Sequence, residues 1–138
     1  MRWVALVVFL FAQFALQAYS GDWPSFRGPH GNGISDEENV PTEWGPDKNI
    51  KWKSPLPADG NGSPIVVGNR VFVSCAEDTG AKRSLLCFDR KDGARLWTKT
   101  VKFEPNWPTH KTNPHCASTP ASNGNVVVVW HASAGLHC

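Results

Sequence analysis

The stretch that decides the fold is Leu85-Leu86-Cys87-Phe88-Asp89-Arg90-Lys91-Asp92-Gly93-Ala94-Arg95-Leu96-Trp97. An apolar run leads into a polar turn carrying Asp and Gly, and a second short run ends on tryptophan. Short runs of this kind, bounded by turn residues, read as strands: one over 85–88, a turn over 89–93 and a second strand over 94–101. Upstream, Ser63-Pro64-Ile65-Val66-Val67 and Arg70-Val71-Phe72-Val73-Ser74-Cys75 flank the dipeptide Gly68-Asn69, a strong hairpin signal. A polar loop over 76–83 joins this hairpin to the next strand. Four short antiparallel strands within about forty residues, with no helical periodicity, predict an all-β fold.

The pattern then restarts. Ser118-Thr119-Pro120 through Trp130 repeats Gly62-Ser63-Pro64 through Ser74 at an offset of 56 residues, pairing Pro64 with Pro120, Gly68 with Gly124, Asn69 with Asn125 and Val71-Phe72-Val73 with Val127-Val128-Val129. Leu136-His137-Cys138 echoes Leu85-Leu86-Cys87, and Ile50-Lys51-Trp52 echoes Arg95-Leu96-Trp97 at an offset of 45. A four-stranded unit recurring at this spacing marks a β-propeller blade. Residues 49–55, stopped by Pro55 and Pro57, then read as a fourth strand without the three that should precede it. Leu136-His137-Cys138 reads as a third strand without a fourth. The expected content is a donated outer strand, one complete blade and most of a second. Propellers close with at least about four blades, so the expectation is an amino-terminal fragment of a longer ring.

On these residues the chain resembles PQQ-like β-propeller repeat proteins, of the quinoprotein alcohol dehydrogenase-like superfamily. Their tryptophan-docking repeat commonly runs A-x-D-x-x-T-G-x-x-x-W. Asp89, Gly93 and Trp97 match it, while Cys87 stands for the usual Ala and Asp92 for the usual Thr. Trp23-Pro24-Ser25-Phe26-Arg27-Gly28-Pro29 is similar to the start of exported members, and the resemblance covers residues 22–138. It implies a structural role for Asp89, Gly93, Trp97 and Trp52, with the indole packed between neighbouring blades. Some relatives are dehydrogenases that hold pyrroloquinoline quinone and calcium over a central channel. This chain lacks their adjacent cysteines, and none of its residues matches a quinone or calcium ligand. Other relatives keep the repeats without the cofactor and act as binding or assembly scaffolds. The scaffold, meeting a protein or carbohydrate partner at a propeller face, is the favoured expectation. The amino-terminal part of a PQQ-dependent (polyvinyl) alcohol dehydrogenase-type oxidoreductase is the alternative.

Composition narrows the rest. Residues 1–20 open on a positively charged start, run apolar from 4 to 16 and end on Ala18-Tyr19-Ser20, the pattern of a signal peptide cut after Ser20. The mature chain is then expected in the periplasm or outside the cell, with an irregular Gly/Pro-rich segment over 21–49 and propeller repeats over 50–138. Fourteen Lys and Arg against 12 Asp and Glu give a net charge of +2, or +1 once Arg2 is removed. The basic residues, Lys82 and Arg83 among them, are scattered and read as solvated, which argues against nucleic acid and anionic membranes. Gly28, Gly31 and Gly33 have no strand before them and no helix after, so they do not form a dinucleotide loop. Cys75, Cys87, Cys116 and Cys138 match no zinc module and contain no C-x-x-C. Two disulfides in any of three connectivities, or buried apolar thiols, both remain open. No C-x-x-C-H haem site occurs. His110, His115 and Cys116, with His131 or His137, carry the atoms to ligate a metal. With no helix or knuckle to fix them, a rigid Pro-containing connection is the expected reading instead.

Overall fold

The computed structural model describes residues 21–104 and 107–138; the expected signal peptide over 1–20 lies outside them. The described chain is all-β apart from two three-residue 3-10 turns, Asp78–Gly80 and Ala132–Ala134. Sheet 1 holds β1 (Ile65–Val67), β2 (Arg70–Glu77), β3 (Lys82–Asp89) and β4 (Arg95–Lys102), antiparallel in that order. Sheet 2 holds β5 (Ala121–Ser122), β6 (Val127–Trp130) and β7 (Leu136–His137). Among the described residues, no helix is long and apolar enough to cross a membrane.

The 56-residue offset survives in three dimensions. Ile65 pairs with Phe72 and Val66 with Val71, while Ala121 pairs with Val128 and Ser122 with Val127. Val73 faces Leu86 across β2 and β3, and Val129 faces His137 across β6 and β7. Gly68 and Gly124 both take positive φ in the hairpin turns, where a side chain would be strained.

Alternation along the strands gives sheet 1 two apolar faces. One carries Ile65, Phe72, Leu85 and Cys87, packs on Val129 of sheet 2, and draws in Val67, Trp97 and Val127. The other carries Val73, Cys75, Leu86 and Phe88 and is covered by Ala58 with Val71. β3 lies between both layers, so residues 83–88 are all buried.

Three expectations need correction. The polar loop expected over 76–83 is shorter: Glu77 pairs with Lys82, and the reversal is confined to residues 78–81, held by a 2.8 Å ion pair from Lys82 to Asp78. Arg83, read as solvated, is 1 % exposed. Residues 49–55 form no strand. They run extended, and their side chains, not their backbone, attach them: the Trp52 indole N–H donates to Arg90 O at 2.9 Å and Ser54 Oγ donates to Gly93 O. The reason is positional, because a ladder needs a neighbouring strand edge, and this segment lies instead across the 89–93 turn.

That turn is built from its own residues. Asp89 Oδ1 accepts from Lys91 N at 2.7 Å, and its carbonyl accepts from Gly93 N at 2.9 Å. Gly93 sits at φ 76°, with the space of its missing Cβ 2.6 Å from the Trp52 ring. Trp97, 45 residues on from Trp52, is half-buried against Phe72 at 5.8 Å between ring centroids.

The glycine-rich amino-terminal stretch is tied to both sheets. Trp23 exchanges backbone hydrogen bonds with Val66 in β1, Asp22 Oδ1 accepts from Gly68 N at 2.8 Å, and Pro24 O accepts from Ser122 N of β5 at 2.8 Å. The first strands of the two sheets are thereby clasped by three consecutive residues.

Candidate functional site

Three loop segments meet at one end of the sheets: the 78–81 reversal, the 103–120 connection and the 131–135 reversal. Arg83 binds them together. It enters from β3, and its guanidinium reaches carbonyls of the two reversals at the sheet end. Nε donates to Gly80 O at 3.0 Å, Nη1 to His131 O and to Ser133 Oγ at 3.2 Å, and Nη2 approaches His115 Nδ1 at 3.3 Å. The Phe103 ring lies under it, 5.1 Å from Cζ to centroid. No carboxylate pairs with it among the described residues. The positive charge is instead spread over dipoles and a π face.

The electrostatics follow from that buried cation. His131 is 3 % exposed. Burial, then His137 and Arg83, push its imidazole down to about 4, so it is neutral at physiological pH. Burial first and Arg83 second also lower His115. Facing a guanidinium, His115 Nδ1 accepts, which leaves the proton on Nε2. Its ring rests on Gly80, where φ is 96° and a Cβ would collide with the imidazole. Burial lowers Arg83 as well.

Beside this node lies a groove of about 430 Å³, lined by Thr79, Gly80, Trp107, Thr109, Pro114 and His115. The Trp107 indole is 63 % exposed. A flat aromatic face bordered by hydroxyls and an imidazole can stack on an apolar ligand face and hydrogen-bond its rim.

The expected metal-ligand set is not assembled. His110 sits on an exposed turn with Nδ1 2.8 Å from Thr112 Oγ1. Cys116 is buried, its thiol pushed up by burial and held by the Ser74 hydroxyl, while its carbonyl accepts from Asn61 N at 2.9 Å. The His131 and His137 rings lie 5.5 Å apart between centroids, and His137 Nε2 donates to Ala134 O at 2.8 Å. Among the described residues, no three His, Cys, Asp or Glu side chains form a group that could hold a metal ion. The four cysteines are free thiols, three of them buried. Calcium takes six to eight oxygen ligands, whereas every described Asp and Glu is exposed or half-buried and no group of them among the described residues could hold a metal ion. The described residues do not fit a quinone–calcium site.

Sequence reasoning missed Arg83 and His131 as a buried pair. A signal for His131 existed: the 56-residue offset places it at the position of Cys75, which is fully buried. Nothing local marked Arg83. Comparisons with protein-family models, curated proteins and solved structures find no match.

Proposed function

We propose that this chain is an exported β-propeller repeat protein of the PQQ-like kind, working as a binding scaffold and not as a catalyst. The observation that carries the reading is the stacking of two sheets with the same strand order and register, 56 residues apart. Repeat units bury their apolar faces against neighbours, and Val129 against Phe72 and Leu85 is such a contact. Export rests on the leader pattern of residues 1–20. The partner is a carbohydrate or a protein met at the loop end. The exposed Trp107 and the hydroxyl- and imidazole-lined groove beside it support that surface.

The test is binding of soluble polysaccharides and of candidate protein partners, read by tryptophan fluorescence and calorimetry. Trp107→Ala is expected to weaken binding at least about tenfold, the effect of losing one aromatic anchor, without shifting the unfolding midpoint. Binding indifferent to Trp107→Ala would remove the groove from the proposal.

A further inference from the structure

Three Asn-Gly dipeptides occur in the chain: Asn32-Gly33, Asn61-Gly62 and Asn123-Gly124. In such a pair the side-chain amide carbon, Cγ, is within reach of the next backbone nitrogen, and glycine has no Cβ to obstruct the approach. The fold holds the three differently. Asn61 is locked. Its Nδ2 donates to Thr112 O at 3.1 Å, and Gly62 N donates to Cys116 O at 3.3 Å. Gly62 has no room to move, since its Cβ position lies 2.5 Å from Ser118 O and 2.8 Å from Ser74 Oγ. At Asn32 the side-chain Oδ1 accepts from Ile34 N at 2.9 Å, while Gly33 N is committed to Arg27 O at 2.9 Å. That second bond closes the 27–33 turn, so the nitrogen cannot leave it without opening the backbone.

Asn123 stands at the tip of the β5–β6 hairpin. It is exposed together with Gly124, and nothing lies within 4 Å of the Gly124 Cβ position. Its Oδ1 accepts two backbone N–H groups, from Asn125 at 3.0 Å and Val126 at 3.1 Å. These bonds fold the side-chain amide back over the Gly124 peptide. Two donors on one carbonyl oxygen draw electrons from Cγ and stand where negative charge collects when Cγ is attacked. Gly124 N donates to Ser122 Oγ at 3.0 Å, and that hydroxyl gives its own proton to Val126 O at 2.7 Å. A hydroxyl so committed is the stronger acceptor, and it can follow the nitrogen by rotating about χ1. One turn therefore holds both the electrophile and the nucleophile of an internal acyl transfer. The matching turn of sheet 1 has Val67 at this position, 56 residues earlier, and carries no such amide.

We propose that Asn123-Gly124 is a site of spontaneous covalent modification in the folded chain, passing through a succinimide to aspartate or isoaspartate. Gly124 N loses its proton to solvent base and bonds Asn123 Cγ. The Cγ–Nδ2 bond breaks, and Nδ2 leaves as ammonia with a proton from solvent. Water then opens the imide. Attack at Cγ restores the main chain with an aspartyl side chain, whereas attack at the main-chain carbonyl leaves a link through Cγ that is one methylene longer. Nothing is oxidised or reduced; one water enters and one ammonia leaves. The isoaspartyl product lengthens the tip of a hairpin whose arms pair Ser122 with Val127, and a short turn of this kind fixes the register of its strands. It also shifts Ser122, whose N–H donates to Pro24 O at 2.8 Å. Sheet 2 is thereby loosened with age while sheet 1 is spared. This chemistry needs only the turn and is independent of the propeller reading.

Ageing the full chain at mildly alkaline pH, native and in urea, tests this, with each Asn followed by peptide mass and by enzymatic methylation of isoaspartate. In urea the three dipeptides are expected to convert at similar rates, because only the local sequence acts there. In the native chain Asn123 is expected to convert no more slowly than in urea, and at least about tenfold faster than Asn32 and Asn61, a small part of what one oxyanion donor contributes in an active site. Asn123→Gln, which keeps an amide but closes a ring far less readily, is expected to remove most native methylation with circular dichroism unchanged. Native conversion at Asn123 that is slower than in urea, or that is matched by Asn32 or Asn61, would overturn the proposal. So would methylation that survives Asn123→Gln undiminished.

Discussion

Two single positions carry the clearest consequences. At Gly93 the backbone needs positive φ and the Trp52 ring occupies the place of a Cβ. Gly93→Ala is therefore expected to cost about 2 kcal/mol, combining a strained left-handed residue with a displaced indole. A urea midpoint equal to that of the parent would contradict it. At His131 the sign follows from a depressed folded-state pKa. As pH falls from 6.5 to about 4, the unfolded chain takes up a proton that the buried imidazole refuses. Stability then drops with acidification across that window, by at most about 3 kcal/mol. His131→Leu keeps the backbone contacts to Arg83 and Gly135, and should flatten the pH profile of thermal unfolding there. A wild-type profile that is already flat would count against a neutral buried His131.

The strands differ in how well they are held. β2 and β3 pair over eight residue positions, and β3 is buried on both faces. β5 and β7 are two residues each, with one neighbour apiece. Local opening free energy follows such differences in burial and pairing. Amides of residues 72–75 and 84–88 are expected to exchange with solvent at least about a hundredfold more slowly than those of β5 and β7. Uniform protection across both sheets would refute this ranking. The same contrast explains what the sequence made legible. Val71-Phe72-Val73 and Val127-Val128-Val129 announce their strands through β-branched runs and adjacent Gly-Asn turns, both local signals. Asp89 and Gly93 likewise shape their turn with their own atoms. Residues 49–55 carry the same local alternation, yet a strand also needs an edge to join, and that edge is not written in the segment. Arg83 reads as solvated in the sequence, against its burial, for a related reason. Its burial depends on carbonyls from Gly80 and His131 and on the ring of Phe103, gathered from three loops. Nothing in the sequence beside Trp107 marks it as exposed, because exposure is decided by the fold around it.

Across the whole molecule, order is concentrated at two junctions. The Arg83 node ties the loop ends of both sheets, and the Trp23–Pro24 clasp ties their first strands. Between them the apolar layer of Ile65, Phe72, Leu85 and Val129 is shielded. The clasp also bears on when the molecule becomes whole. A chain made from its amino terminus presents Trp23 and Pro24 early, before either partner strand has emerged. Val66 gives Trp23 a place roughly forty residues later, but Ser122, which Pro24 O receives, emerges almost a hundred residues after Pro24. The earliest described segment is thus among the last to be secured, and until then the second sheet has no hold on it.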